Sequence, residues 1–206
     1  VTDFENKVTK SYVDGFGRVT DIFEVFSGTN IITHYTYDLL GNLTYVTDAA
    51  NNHTMMVYDS LGRKISMTDP DMGTWSYVYD NAGRMTQQTD ARNNKLKFYF
   101  NDALGRLTAK EIYNSASTLV ATVTYTYDTS DDGNYTVFKG QLYKVTDRQG
   151  WQKNSYDIRG RVTKTGRYVS PTATEYVTQT TYDDADRVRQ IIYPGNAATI
   201  KYSYDT

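Results

Sequence analysis

One short stretch recurs from one end of the chain to the other, and its clearest copy is Tyr-Asp-Asn-Ala-Gly-Arg at residues 79–84. When the copies are aligned on the Asp, neighbouring copies lie 21 to 29 residues apart. The aligned positions are Asp14, Asp38, Asp59, Asp80, Asp102, Asp128, Asp157, Asp183 and Asp205. A repeat of this length is typical of proteins built from many similar supersecondary units. We therefore expect residues 1–206 to form a single array of repeats.

The residues of the motif predict a tight turn. Tyr usually precedes the Asp, Gly follows three residues after it, and Arg comes next. An Asp side chain can accept hydrogen bonds from the backbone just downstream, and Gly tolerates the positive φ that such turns require. The residues assigned to this structural motif are Tyr37, Asp38, Gly41, Tyr58, Asp59, Gly62, Arg63, Tyr79, Asp80, Gly83, Arg84, Asp102, Gly105, Arg106, Tyr156, Asp157, Gly160 and Arg161.

The segments between the turns have the pattern of β-strands. In residues 74–79 the aromatic residues Trp75, Tyr77 and Tyr79 alternate with smaller ones, and a period of two is that of a strand. Four units place another Asp seven residues past the Gly, which predicts a second turn at Asp48, Asp69, Asp90 and Asp147. Each unit is thus predicted to be a two-stranded hairpin. The fold class that follows is all-β, with tandem antiparallel hairpins in one curved sheet.

A single hairpin is only marginally stable in water, so the units must stabilise one another. We expect stacked tyrosines from neighbouring units to provide this stabilisation. Three parts of the chain break the regular spacing and are expected to be loops or longer hairpins; they are residues 22–32, residues 114–119 together with 129–139, and residues 166–174. The chain begins and ends within units, as a section of a longer array would.

Composition argues against several functions. The chain has 22 basic and 24 acidic residues and a formal net charge of -2, so there is no electrostatic basis for binding nucleic acid or an anionic membrane. It has no cysteine, which rules out a disulfide framework. No window approaches the 18 apolar residues of a membrane-spanning helix, so this segment is not expected to insert into a membrane.

The motif resembles the YD repeat of the Rhs (rearrangement hotspot) family, with full copies at residues 58–63, 79–84 and 156–161. Residues 69–75 resemble a segment found between repeats in bacterial members, which favours a bacterial Rhs or toxin-complex B/C-type protein over the animal teneurins. The resemblance implies a sheet that spirals into a hollow shell around a C-terminal toxin. It also implies a secreted or cell-surface location on a bacterium. The implied partners are the rest of the shell, the toxin, and toxin-complex or secretion-system components.

No catalytic constellation stands out. Asp80 and Arg84 could pass for an acidic site, but the pair recurs in most units, and repetition favours a structural role. Residues 128–134 resemble the front of a calcium loop, yet Lys139 occupies the position where the bidentate acid would stand. A solvated insertion is the preferred interpretation and a weak cation site the alternative. We predict no enzyme activity, no catalytic or metal site, and no cofactor.

The aromatic strand face leaves two functions open. Its exposed rings could contact a ligand or an enclosed chain, and the candidate contacts are Trp75, Tyr77, Tyr125 and Tyr202. One-sided aromatic surfaces suit sugar rings, whereas packing between units is the structural alternative. The first hypothesis is therefore a structural wall that encloses a toxin. The second is an extracellular adhesion or carbohydrate-binding module.

Overall fold

The computed structural model describes residues 8–26, 28–172 and 174–205, apart from the side chain of Phe26. These residues form antiparallel β-strands with one short 3₁₀ turn at Pro194–Asn196, which confirms the all-β prediction. No helix in the described ranges is long and apolar enough to span a membrane. The chain divides into two compact units. The first holds the described residues up to Leu96 together with Asn114–Ser117, and the second holds the rest.

The first unit contains eight complete strands, each antiparallel to the next. They are β1 (Thr9–Val13), β2 (Val19–Phe26), β3 (Thr29–Tyr37), β4 (Leu43–Thr47), β5 (His53–Tyr58), β6 (Lys64–Asp69), β7 (Gly73–Tyr79) and β8 (Met85–Thr89). The following strand, β9 (Lys95–Tyr99), contains the division between the units.

The second unit repeats this plan with eight further strands, again antiparallel in chain order. They are β10 (Ala109–Tyr113), β11 (Leu119–Tyr127), β12 (Leu142–Asp147), β13 (Gly150–Tyr156), β14 (Val162–Val169), β15 (Glu175–Tyr182), β16 (Val188–Ile192) and β17 (Thr199–Lys201).

The segments that break the spacing take three forms. Residues 22–32 and 166–174 lengthen the hairpins β2–β3 and β14–β15, as predicted, although Ser27 and Ala173 lie outside the described residues. Residues 114–119 form the turn between β10 and β11. Residues 129–139 contain no strand and, as shown below, fold back onto the sheet.

A β-bulge, not predicted from the sequence, accompanies the motif. Beside each Tyr the pairing register shifts, so that Tyr58 pairs with Lys64 while Val57 pairs with Ser66 and Ile65 is left over. The leftover position, six residues after the Asp, is often Thr. In three units its hydroxyl donates to a carbonyl of the neighbouring strand, in the pairs Thr44–Thr36, Thr86–Val78 and Thr108–Tyr99. A bulge of this kind bends a strand and increases its twist.

The sheet has very little core. Among the described residues only Tyr135 and Tyr143 are buried apolar side chains. The accessible surface is 13,758 Å², whereas a globular monomer of 23.5 kDa exposes about 9,800 Å². Most of the chain is therefore a single layer, and something other than a hydrophobic core must hold its turns in place.

Candidate functional site

The turn of each motif is built around its Asp. In the unit of Asp59, Oδ1 accepts the backbone N–H groups of Leu61 (2.9 Å) and Arg63 (3.0 Å), and the main-chain carbonyl accepts the N–H of Gly62 (3.0 Å). The hydrogen bond from the Arg63 side chain, followed by that from its backbone N–H, lowers the pKa of Asp59. The same turn forms at Asp14, Asp38, Asp80, Asp102, Asp157 and Asp183.

The glycine of the motif lies where its conformation is required. Gly62 has a φ of 75°, a region that costs residues with a Cβ energy. The predicted motif glycines with positive φ are Gly41, Gly62, Gly83, Gly105 and Gly160. The turns at Asp48 and Asp90 have the same hydrogen bonds, with Asn51 and Asn93 at a φ of 64° in place of glycine. The sequence Asp-x-x-Asn-Asn is thus a second form of the motif.

The Arg of the motif joins one unit to the next. Arg63 donates from Nε to Oδ2 of its own Asp59 at 2.7 Å, and from Nη1 to the carbonyl of Asp80 at 3.1 Å. Its guanidinium carbon lies 5.0 Å from the centre of the Tyr79 ring. We call this set of contacts the inter-repeat clamp. Arg18 and Arg161 form it with the following motif in the same way.

The tyrosine hydroxyl completes the clamp. Tyr79 donates to the carbonyl of Lys64 at 2.8 Å, and that residue directly follows Arg63. The other pairs are Tyr37–Val19, Tyr58–Leu43, Tyr127–Leu107, Tyr156–Leu142, Tyr182–Val162 and Tyr204–Val188. Because the acceptor is a backbone atom, its side chain is free to vary, which explains why Lys64 can replace an apolar residue.

The prediction of stacked tyrosines is wrong. In the described ranges the ring pairs in contact are Tyr12–Phe23, Tyr45–His53, Tyr135–Tyr143 and Trp151–Tyr168. None of these pairs joins two motif tyrosines. Five motif rings instead lie against a guanidinium, since a cation is attracted to the electron-rich face of an aromatic ring. They are those of Tyr37, Tyr79, Tyr127, Tyr182 and Tyr204.

Several motifs depart from the clamp, and in one of them Gln141 stands in place of the Arg. Asn42 replaces Arg and donates to Oδ2 of its own Asp38 at 2.8 Å, but its side chain is shorter. At the sixth motif Arg106 forms an ion pair with both carboxylate oxygens of Asp128, at 2.9 and 2.6 Å. This bond, together with the N–H of Gly140, lowers the pKa of Asp128 to about 2.

Residues 128–134, the segment interpreted as a solvated insertion, contain no buried residue. The residue that follows them is different. Tyr135 is 4% exposed and lies against Gly166, where an added Cβ would collide with its hydroxyl. The Tyr135 hydroxyl donates to Glu175, and the Thr136 N–H donates to the Ser155 hydroxyl at 2.9 Å. The insertion therefore covers strands β13–β15 on the face opposite the motif tyrosine.

The acidic residues of the insertion bind a lysine of the sheet. Lys153 Nζ lies 3.3 Å from Asp131 and 3.1 Å from Asp132, and Tyr143 donates its hydroxyl to Asp131. The hydrogen bond from Tyr143, then that from Lys144, lowers the pKa of Asp131. Burial opposes the charge of Lys153, but its bonds to Tyr143 and the two carboxylates raise its pKa.

A cation does lie between these carboxylates, and it is the chain's own ammonium group. No group of acidic residues and histidines suited to a metal ion occurs in the part of the chain that the structure describes. The weak cation site considered as the alternative for residues 128–134 is therefore replaced by Lys153.

The candidate ligand contacts lie in different surroundings. The Lys64 ammonium covers Tyr77 at 5.3 Å from the ring centre, and the Lys110 ammonium lies 5.7 Å from that of Tyr125. Trp75 lines an open cleft in the first unit. Tyr202 is 43% exposed and lines a cleft in the second. The role of all four as contacts stays a prediction.

Comparisons with known proteins agree with this geometry. A family model of the RHS Repeat matches residues 58–95. No curated protein matches the sequence.

Among solved structures, that of TcdB2-TccC3-Cdc42 is similar over 94% of this chain, with a TM-score of 0.70 and 15% identity. That of TcdB2-TccC3 without its hypervariable C-terminal region is similar over 94%, with a TM-score of 0.69 and 14% identity. The chain spans 12% of the length of each. At such low identity the likeness shows the fold alone. Residues 58–95 thus match the RHS Repeat, and the chain as a whole is similar in fold to these TcdB2-TccC3 structures.

Proposed function

We propose that this chain is a section of the wall of a hollow YD-repeat shell, and that the shell encloses a C-terminal toxin before delivery. The observation that carries the proposal is the single-layer sheet. A sheet with almost no core and about 4,000 Å² of excess surface is poorly suited to act alone as a globular domain. It is well suited to separate an interior from the solvent.

The chemistry of the motif supports a wall that carries out no reaction. Asp and Arg bind each other within the turn, and Arg18, Arg63 and Arg161 also bond to the next motif. A catalytic site needs groups poised for a substrate, whereas these groups already bind one another. The protein would be secreted or displayed on a bacterial surface. Its partners would be the rest of the shell, the toxin and other toxin-complex or secretion-system components.

Cysteine labelling of the whole protein that contains this chain tests the enclosure. The chain has no cysteine, so Ser76→Cys and Gln88→Cys place one thiol on each face of the β7–β8 hairpin. Ser76 lies on the face opposite the motif tyrosines, and Gln88 pairs with Tyr77 on the tyrosine face. Labelling by a bulky maleimide is then read by peptide mass spectrometry.

In a closed shell one thiol reacts and the other is protected, while both react in the isolated chain. The protected position also reveals which face lines the interior. Equal labelling of both positions in the whole protein would overturn the proposal.

A second candidate function is adhesion or carbohydrate binding through the aromatic residues. The observation that favours it is that Trp75 lines an open cleft together with three charged residues. Saturable binding of the intact chain on a glycan array tests this function independently of enclosure.

A further inference from the structure

A cleft of about 520 Å³ lies between two neighbouring turns of the first unit, those that follow β6 and β8. The first turn is fixed because Oδ1 of Asp69 accepts the N–H groups of Asp71 (3.0 Å) and Met72 (3.1 Å). The two turns approach most closely at Gly73, whose added Cβ would lie 2.5 Å from that of Ala91. The small residues Gly73 and Ala91 therefore form a narrow floor and leave the space above them open.

Trp75 supplies one wall of this cleft. Its indole N–H donates to the carbonyl of Met72 at 3.1 Å, which fixes the ring against its own turn. Because its polar atom is already bonded, the ring offers only apolar surface to the cleft. Pro70 and Met72 extend this apolar wall.

Two charged side chains of opposite sign, those of Asp71 and Arg92, line the cleft. Asp71 and Arg92 are exposed, and in the described ranges neither side chain forms a hydrogen bond or an ion pair. Asp90, by contrast, is bound by Asn94 and by the backbone N–H of Arg92. Beside an apolar ring, the cleft thus presents the Asp71 carboxylate as an acceptor and the Arg92 guanidinium as a donor. The positive charge of Arg92 also lowers the pKa of Asp90, after the larger effects of the hydrogen bonds from Asn94 and Arg92.

We propose that this cleft binds a neutral saccharide, which rests on the second candidate function. A pyranose ring has a flat C–H face that can lie on Trp75, and hydroxyls that can donate to Asp71 and accept from Arg92. Asp90 adds a second negative charge to the cleft, so a neutral ligand is expected to bind better than an anionic one. The volume is within the range of ligand sites, about 300–1,000 Å³.

The indole N–H resonances of the intact chain provide the test. The chain contains two tryptophans, so a ¹H–¹⁵N spectrum shows two indole peaks, which Trp75→Phe assigns. Trp151 is an internal control because its ring is stacked on Tyr168 at 5.7 Å. The probes are glucose, galactose, N-acetylglucosamine and their short oligomers, with glucuronate as a charged comparison and a proline-rich peptide as a non-sugar ligand.

We expect a neutral sugar to shift the Trp75 peak saturably and to leave the Trp151 peak in place. Asp71→Ala and Arg92→Ala should each weaken that sugar's affinity at least about fivefold, since each removes one polar contact. The matched control is Arg148→Ala, which removes an exposed arginine from the turn before Trp151 and should leave affinity unchanged.

Three outcomes would overturn the proposal. They are no saturable Trp75 shift with any neutral sugar, equal shifts of both tryptophans, and preferential binding of glucuronate or the peptide. A chain that binds on a glycan array without a Trp75 shift would retain the second candidate function and lose only this cleft.

Discussion

The same repeat is held together in two different ways in the two units. In the first unit the face opposite the motif tyrosines is open, and Val57 and Val78 are about half exposed there. In the second unit residues 129–139 cover that face, and Tyr143 is fully buried. The open region depends on inter-repeat clamps, whereas the covered region adds a small core. The comparison shows that the YD motif can organise a sheet without burial, and that burial is a local addition.

Lowering the pH should have the largest effect on stability. It should also unfold the open region before the covered one. The motif aspartates have lowered pKa values, so their contribution to stability is complete above the unfolded value near 3.9 and is lost as the pH falls toward the folded value. We expect a melting temperature that is flat from pH 8 to 5 and falls steeply between pH 4 and 2. Because the covered region also has the buried rings of Tyr135 and Tyr143, the Trp151 indole peak should outlast that of Trp75. Simultaneous loss of both peaks would remove this distinction.

Removing the buried ring should cost more than any clamp. Tyr143→Ala leaves a cavity under the insertion and should lower the free energy of unfolding by about 3–5 kcal/mol. Tyr176→Ala, at a site that is 46% exposed in the same unit, should change it by less than about 0.5 kcal/mol. Urea unfolding measures both, and equal effects would mean that the insertion is not a core.

A substitution in the strand that the insertion covers tests the same packing without changing the insertion itself. Gly166→Ala places a methyl group against the Tyr135 hydroxyl and Glu175, and should cost about 1–3 kcal/mol. Gly133→Ala lies in the insertion with open space around the new methyl group and serves as the control. Hydrogen exchange at Tyr135 and Thr136 should accelerate only in Gly166→Ala; unchanged exchange there would contradict the packing described.

Breaking one clamp should have a smaller effect. Arg63→Ala removes the bonds to Asp59 and Asp80 and the contact with Tyr79, which are partly exposed, so we expect a loss of about 1 kcal/mol. Asn42→Ala, where no clamp exists, should cost about half of that or less. The thermal melts of the two variants give the comparison, and a larger loss for Asn42→Ala would refute the clamp.

The smallest expected effect is an increase in stability. Asn42→Arg supplies the arginine that the second repeat lacks. We expect its side chain to reach the Asp59 carbonyl and the Tyr58 ring. By analogy with Arg63 it should stabilise the chain by about 0.5 kcal/mol. Because Asn42 Oδ1 already lies 3.3 Å from the position of a Cβ on Gly62, crowding is the competing effect. A lowered melting temperature would show that crowding wins.

The sequence predicted those parts of the molecule that depend on near neighbours. The turn at Asp59 follows from Asp, Gly and their spacing, and the strands follow from alternation such as that of Trp75 and Tyr77. The ring contact of Tyr79 was missed, because its partner Arg63 lies in another unit and Tyr–Tyr packing satisfies the same pattern. The bulge was missed because a register shift leaves no mark in the alternation beyond a frequent Thr.

The covered patch could not be predicted, because it occurs in one unit and has no period. Two signals were nevertheless present. Gly166 stands inside a strand, which often marks a close approach of another group. Tyr143 occupies the bulge position that is elsewhere often Thr. Neither signal identifies Tyr135 or Lys153 as the partner, since that choice depends on how the insertion folds back.

The reach of the clamp has a consequence for how the chain folds. Arg18, Arg63 and Arg161 bond to a residue 20, 17 and 22 positions further along. Contacts of such low sequence separation close small loops and form quickly. Each motif can therefore be completed soon after the next one leaves the ribosome, so the sheet can grow during synthesis. The hydrogen bond from Tyr135 to Glu175 spans 40 residues. We therefore expect the covered patch to form later than the clamps.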